Sequence, residues 1–103
     1  MRHRVLHHLD TATARRVADR AWETYKVRFP RYEPEIRWLD DRRARLSFSA
    51  RGLRVTGSLE LSTGCIELDV KVPVALRLFK GRAMALIEEE MRRWIARAEA
   101  GDL

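Results

Sequence analysis

The chain reads as an α+β domain: an antiparallel sheet of four to five strands, in the order β-α-β-β-β-β-α, with two helices packed on one face. Three observations predict this. Residues 44–72 alternate apolar and polar side chains in three segments, broken at Arg51-Gly52 and at Thr63-Gly64. The stretches 14–25 and 76–98 instead repeat apolar residues every three or four positions, the period of a helix. The length, 103 residues, suits one domain with one core. Two one-sided helices and a one-sided sheet bury their apolar surfaces most simply against each other.

Taken in order, residues 4–9 form a short strand that runs into Asp10-Thr11, either of which can cap a helix. Ala14, Val17, Ala18, Ala21, Trp22 and Tyr25 make one apolar stripe, and Arg15, Arg16, Asp19, Arg20, Glu23 and Lys26 fill the opposite side. Arg15/Asp19 and Glu23/Lys26 have the spacing of helix-supporting ion pairs. Pro30 and Pro34 end the helix, because proline lacks an amide hydrogen and disfavours helical geometry in the residue before it. Ile36 and Trp38 belong to the next strand, with Leu39 pointing the other way, and Asp40-Asp41-Arg42 lead back into Ala44.

The meander can be registered. A two-residue turn at Arg51-Gly52 pairs Phe48 with Val55 and Leu46 with Gly57. A second turn at Thr63-Gly64 pairs Leu61 with Ile66 and Leu59 with Leu68. Each turn ends in glycine, which tolerates the positive φ of tight hairpins. A slip by one residue would set apolar against polar side chains along the whole strand. Pro73 closes the last strand. Leu76, Phe79, Ala83, Ile87, Met91, Trp94 and Ala98 then share a helix face, widened by Leu86 and Ile95. Glu88/Arg92 and Glu89/Arg93 are spaced as ion pairs, and Gly101 is a natural stop. Gly81 interrupts the pattern, leaving room for a separate turn over 74–80.

Composition bounds the function. With 46% apolar and 35% charged residues the chain is globular. No apolar run approaches the 18 or so residues of a membrane span, and no apolar segment of the secretory type follows the basic start. One cysteine, Cys65, excludes an internal disulfide and a multi-cysteine metal site, so the cytoplasm is the expected location. The net charge is +6, and arginine supplies 18 of the 21 cations. That excess has two readings: genomic base composition, or an anion-binding sheet face carrying Arg37, Arg45, Arg51 and Arg54. Exposed aromatics interleaved with the charge are missing, so nucleic acid is not the expected partner.

No catalytic residue, metal site or cofactor is expected. His7 and His8 point to opposite faces of a strand, where surface or edge positions explain them better than a shared ion. Glu60 and Glu67 are register neighbours, but on an open face with Arg43 beside Glu60 their conflict is neutralised rather than put to acid–base use. Cys65 has no base or helix start nearby to activate it. Trp22, Trp38 and Trp94 fall on apolar faces and read as core. The competing reading is an aromatic cleft between the sheet and the long helix, near Trp38 and Trp94, that takes a small hydrophobic ligand. In the segment Pro73–Arg82, Val74, Leu76, Leu78 and Phe79 mix with Arg77, Lys80 and Arg82 and with no acid. It is either a broad helix start or a surface that docks on an apolar, membrane-like body.

Several short motifs carry a resemblance. They are His7-His8-Leu9 before Ala14-Arg15, Trp38-Leu39-Asp40-Asp41, Leu46-Ser47-Phe48, and Gly52…Thr56-Gly57-Ser58-Leu59. Ile66-Glu67-Leu68-Asp69-Val70, Pro73…Leu78-Phe79 and Ala85-Leu86-Ile87-Glu88-Glu89-Glu90 complete the series. In this order the chain resembles, over nearly its whole length, the small bacterial polyhydroxyalkanoic acid system proteins. The resemblance implies a non-enzymatic protein that binds or regulates storage-polyester granules or a protein on them, and it brings no catalytic residues. The basic, proline-bearing 26–34 segment and the arginine content depart from the family pattern. The binding residues expected from the aromatic cleft and the 74–82 segment are Trp38, Leu76, Leu78, Phe79, Lys80, Arg82 and Trp94. Unpaired sheet edges would also allow a homodimer.

Overall fold

In a computed structural model, which describes residues 1–103, strands β1 (Arg2–Leu6), β2 (Glu35–Trp38), β3 (Arg43–Ala50), β4 (Leu53–Ser62) and β5 (Cys65–Lys71) form one antiparallel sheet. Their spatial order is β1-β5-β4-β3-β2. Helices α1 (Thr11–Arg28) and α2 (Lys80–Glu99) pack on the apolar face, with short 3-10 turns at Pro30–Tyr32 and Val74–Phe79.

Both expected hairpin registers are present: Phe48 pairs with Val55 and Leu46 with Gly57, and Leu61 pairs with Ile66 and Leu59 with Leu68. At the first turn Arg51 (φ 52°) and Gly52 (φ 78°) are both left-handed, as a tight two-residue hairpin with matched strand twist requires. Gly57 has a different reason to be glycine. A Cβ there would lie 2.7 Å from the Asp69 carbonyl oxygen and 3.1 Å from the Val70 Cα, both backbone atoms that no rotamer change can move.

The α1 stripe is buried as expected, from Ala14 through Tyr25. Asp10 is the cap: its carboxylate accepts the Thr13 amide at 2.7 Å, and that bond holds its carboxyl below the usual range. The last α1 bond, Phe29 N–H to the Tyr25 carbonyl, directly precedes Pro30. The core joins this stripe to Val5, Ala44, Leu46, Leu59, Ile66 and Leu68 of the sheet and to Met84, Met91 and Ile95 of α2.

Three expectations need correction. The first strand occupies Arg2–Leu6 rather than 4–9, because β5 begins only at Cys65, after the Thr63-Gly64 turn, and Leu6 is the residue opposite it. Past Leu6 the chain finds only the Gly64 carbonyl, bonded by the His7 amide, and then climbs to α1. The α2 stripe is rotated: Met84, Met91 and Ile95 are buried, whereas Leu86 is 45% exposed. Leu76 and Phe79 belong to the preceding 3-10 turn, so they do not set the phase of the helix. The same-helix ion pairs foreseen by spacing do not form: Glu23 and Arg93 take other same-helix partners, Arg20 and Glu90, while others turn to distant ones. Asp19 accepts from the Trp38 indole, Arg15 reaches Asp41, Glu88 meets His3, and Arg92 donates to the Leu6 carbonyl. In water, a pair spaced along one helix is worth only about 0.2–0.5 kcal/mol, so tertiary partners readily win.

Candidate functional site: an apolar cleft at one end of the sheet

The sheet's apolar face is sealed at one end and open at the other. Ala44, Leu59 and Leu68 are buried, but Phe48, Ala50 and Val72, towards the Arg51-Gly52 hairpin, remain partly exposed. Here α1 has ended and α2 has only begun. The 3-10 turns that follow one and precede the other bury only one residue between them, Leu76. The result is a half-open cleft of about 500 Å³. Trp22, Tyr25, Phe29 and Tyr32 line one side, Phe48, Val55, Val70 and Val72 the floor, and Leu76, Phe79, Met84 and Ile87 the other side.

Of its 19 lining residues 15 are hydrophobic, and the charged ones, Arg51, Lys80 and Arg82, are all cations. No carboxylate lines the cleft, and none of the three forms an ion pair. The Arg51 guanidinium lies 4.4 Å from the centroid of the Phe79 ring. The Tyr25 hydroxyl donates to the Ile87 carbonyl, and burial, helped by the nearby Glu90, pushes its pKa well above the ordinary tyrosine value. It stays protonated, a fixed strut between α1 and α2. Behind it the buried Glu90 carboxylate meets Arg28 at 3.1 Å and Arg93 at 3.4 Å.

The expected binding residues separate into groups. Leu76, Phe79, Lys80 and Arg82 converge on the cleft. Leu78 belongs to the same turn but points outward, 94% exposed. Trp38 and Trp94 do not line the cleft, which lies elsewhere than expected. Each packs on the core edge under an arginine: the Trp38 indole donates to Asp19 at 2.7 Å beneath Arg15, and that of Trp94 to Thr24 at 3.3 Å beneath Arg97.

Of the four arginines assigned to the sheet face, Arg37, Arg45 and Arg54 share it and Arg51 leaves it. Arg37 and Arg45 are register partners, Arg54 is bonded to Ser47 and lies 3.9 Å from Glu35, and Arg51 turns over Phe79 at the hairpin. Glu60 and Glu67 pair as foreseen, but Arg4 holds Glu67 at 2.8 Å, and Arg43 turns to Asp40 rather than to Glu60. Sequence reasoning missed Trp22, Tyr25, Phe29 and Tyr32 as cleft walls. The one available signal, for Phe29 and Tyr32 alone, was the aromatic content of the stretch around Pro30, where no long helix could carry those two rings into the core.

No helix is long and apolar enough to cross a membrane. Fold and cleft together define a small α+β domain whose two helices cover one face of a five-stranded antiparallel sheet and leave an apolar, cation-rimmed opening at one end. Residues 3–95 match the family described as "Putative polyhydroxyalkanoic acid system protein", and the chain belongs to that family. No match to a curated protein or to a solved structure was found.

Proposed function

We propose that the protein is a non-enzymatic component of the polyhydroxyalkanoate system, working in the cytoplasm, that binds the surface of storage-polyester granules through the turn Val74–Phe79. One observation carries this reading: Leu78 is 94% and Val74 75% exposed on one turn that also carries Arg77 and is followed by Lys80 and Arg82. Large aliphatic side chains held in water beside cations, with no acid among them, suit an apolar body with a polar or anionic skin. Family membership supplies the body.

Burying one leucine side chain contributes about 1.5–3 kcal/mol, so Leu78→Glu should weaken partition to granules by at least about tenfold. Both Leu78 and Val74 lie outside the core cluster, so Leu78→Glu and Val74→Glu variants should keep the wild-type thermal midpoint. Sedimentation of isolated granules with purified protein tests the reading. Wild type should pellet with the granules and the variants should not. Wild-type protein left wholly in the supernatant ends it.

A further inference from the structure

We propose that the cleft is a binding site for a single acyl chain ending in a carboxylate, with the chain against the sheet floor and the carboxylate at Arg51, Lys80 and Arg82. The volume, about 500 Å³, lies within the range of small-molecule sites, about 300–1,000 Å³. The walls select the body of the ligand. Phe48, Val70, Val72, Leu76 and Ile87 offer no side-chain hydrogen bond, and the Tyr25 hydroxyl is already given to the Ile87 carbonyl. Only the Trp22 indole N–H and the Tyr32 hydroxyl remain, so a sugar or nucleobase would leave most of its polar groups unpaired there, whereas an alkyl chain has none to lose.

The charged residues select the head. Three cations and no carboxylate among the lining residues give the opening one sign of charge. Arg51 stands at a left-handed turn position, φ 52°, where tight hairpins favour Asn or Gly. An arginine held in that costly backbone region, with its guanidinium turned over the Phe79 ring beside the cleft, is the pattern of a residue kept for binding. Its exposed fork has no acid partner in the protein and matches a carboxylate in bidentate geometry. The site does not rest on the granule reading, because Leu78 and Val74 do not line it.

Calorimetric titration of the full chain with saturated acids from octanoate to dodecanoate, below micelle formation, tests the proposal. Each added methylene should tighten binding by about fourfold, the factor that corresponds to about 0.8 kcal/mol per buried CH₂. Trp22 lines the cleft, so its fluorescence should change in step. The exposed pair Lys80→Glu/Arg82→Glu should weaken decanoate by at least tenfold, leave 1-decanol unchanged, and keep the wild-type melting curve. Ala83→Trp, which fills the cleft from a half-exposed wall, should abolish binding of both, while Leu78→Glu should bind decanoate as wild type does. The proposal falls if dodecanoate gives neither heat nor a fluorescence change, if chain length has no effect, or if wild type binds 1-decanol as tightly as decanoate. It falls equally if the protein binds phosphatidylcholine vesicles but no free acid.

Discussion

His7 shows how one side chain can depart from its sequence-based reading. Expected at a surface or edge, it is buried: its backbone amide binds the Gly64 carbonyl, its Nδ1 accepts the Leu9 amide at 3.0 Å, and its Nε2 has no hydrogen-bond partner. Desolvation by burial lowers the imidazole pKa below 6.5, only partly opposed by the Cys65 backbone. The folded chain therefore holds the neutral ring while the unfolded chain takes up a proton from about pH 6.5 downward. Because the unfolded state then binds more protons, the stability tied to His7 is complete above that pH and is lost as the pH falls towards the folded value. Urea midpoints should drop between about pH 7.5 and pH 5.5 in the wild type. The drop should shrink in His7→Asn, whose side-chain oxygen can still accept the Leu9 amide; an equal drop in both proteins assigns the acid sensitivity to other groups.

At the scale of elements, α1 and α2 are joined by a buried carboxylate. Glu90 keeps 5% of its side-chain exposure between Arg28 at the end of α1 and Arg93 on its own helix. A spacing argument could see the second contact but not the first, which spans 62 positions. Removing one member of a buried pair leaves a charge without compensation, whereas removing the charge itself relieves the desolvation cost. Glu90→Met should therefore be near neutral, because Arg28 and Arg93 are half exposed and water can solvate them once the buried carboxylate is gone. Arg28→Ala should destabilise, although Arg28 is itself half exposed, and the loss should vanish when Glu90→Met is already present. A double-mutant cycle in urea checks this; additive single effects would show that the pair is not coupled.

For the whole molecule the decisive feature is the return of the first strand to the last. β1 covers the edge of β5, contributes the fully buried Val5, and places the Met1 amine 2.8 Å from the Val70 carbonyl. The remaining sheet edges are β1 and β2, short strands bearing Arg2, Arg4 and Arg37, which discourage edge-to-edge pairing with another copy. Deleting residues 1–6 should expose the apolar β5 edge and remove Val5, a loss of about 1.5–3 kcal/mol from that side chain alone. The shortened chain should unfold at lower urea and elute from a sizing column as a dimer or larger. An unshifted midpoint with unchanged elution would show that β1 contributes little.

The sequence by itself determined the registers of the two meander hairpins, the buried face of α1 and the order of elements. Those features depend on contacts a few residues apart: period-two alternation, three-and-four repeats, a capping aspartate, and glycine where a hairpin needs positive φ. The family, too, was legible in the order of short motifs. Only the tertiary structure decided the phase of α2, the burial of His7 and Glu90, the long-range partners of Asp19 and Glu88, and the cleft's position away from Trp38 and Trp94. Each of these depends on how far one helix stands from a sheet built from residues distant in the chain. Hydrophobic burial says which side chains leave water, but it has no direction of its own, so the place where packing stops short is set only when all the elements meet.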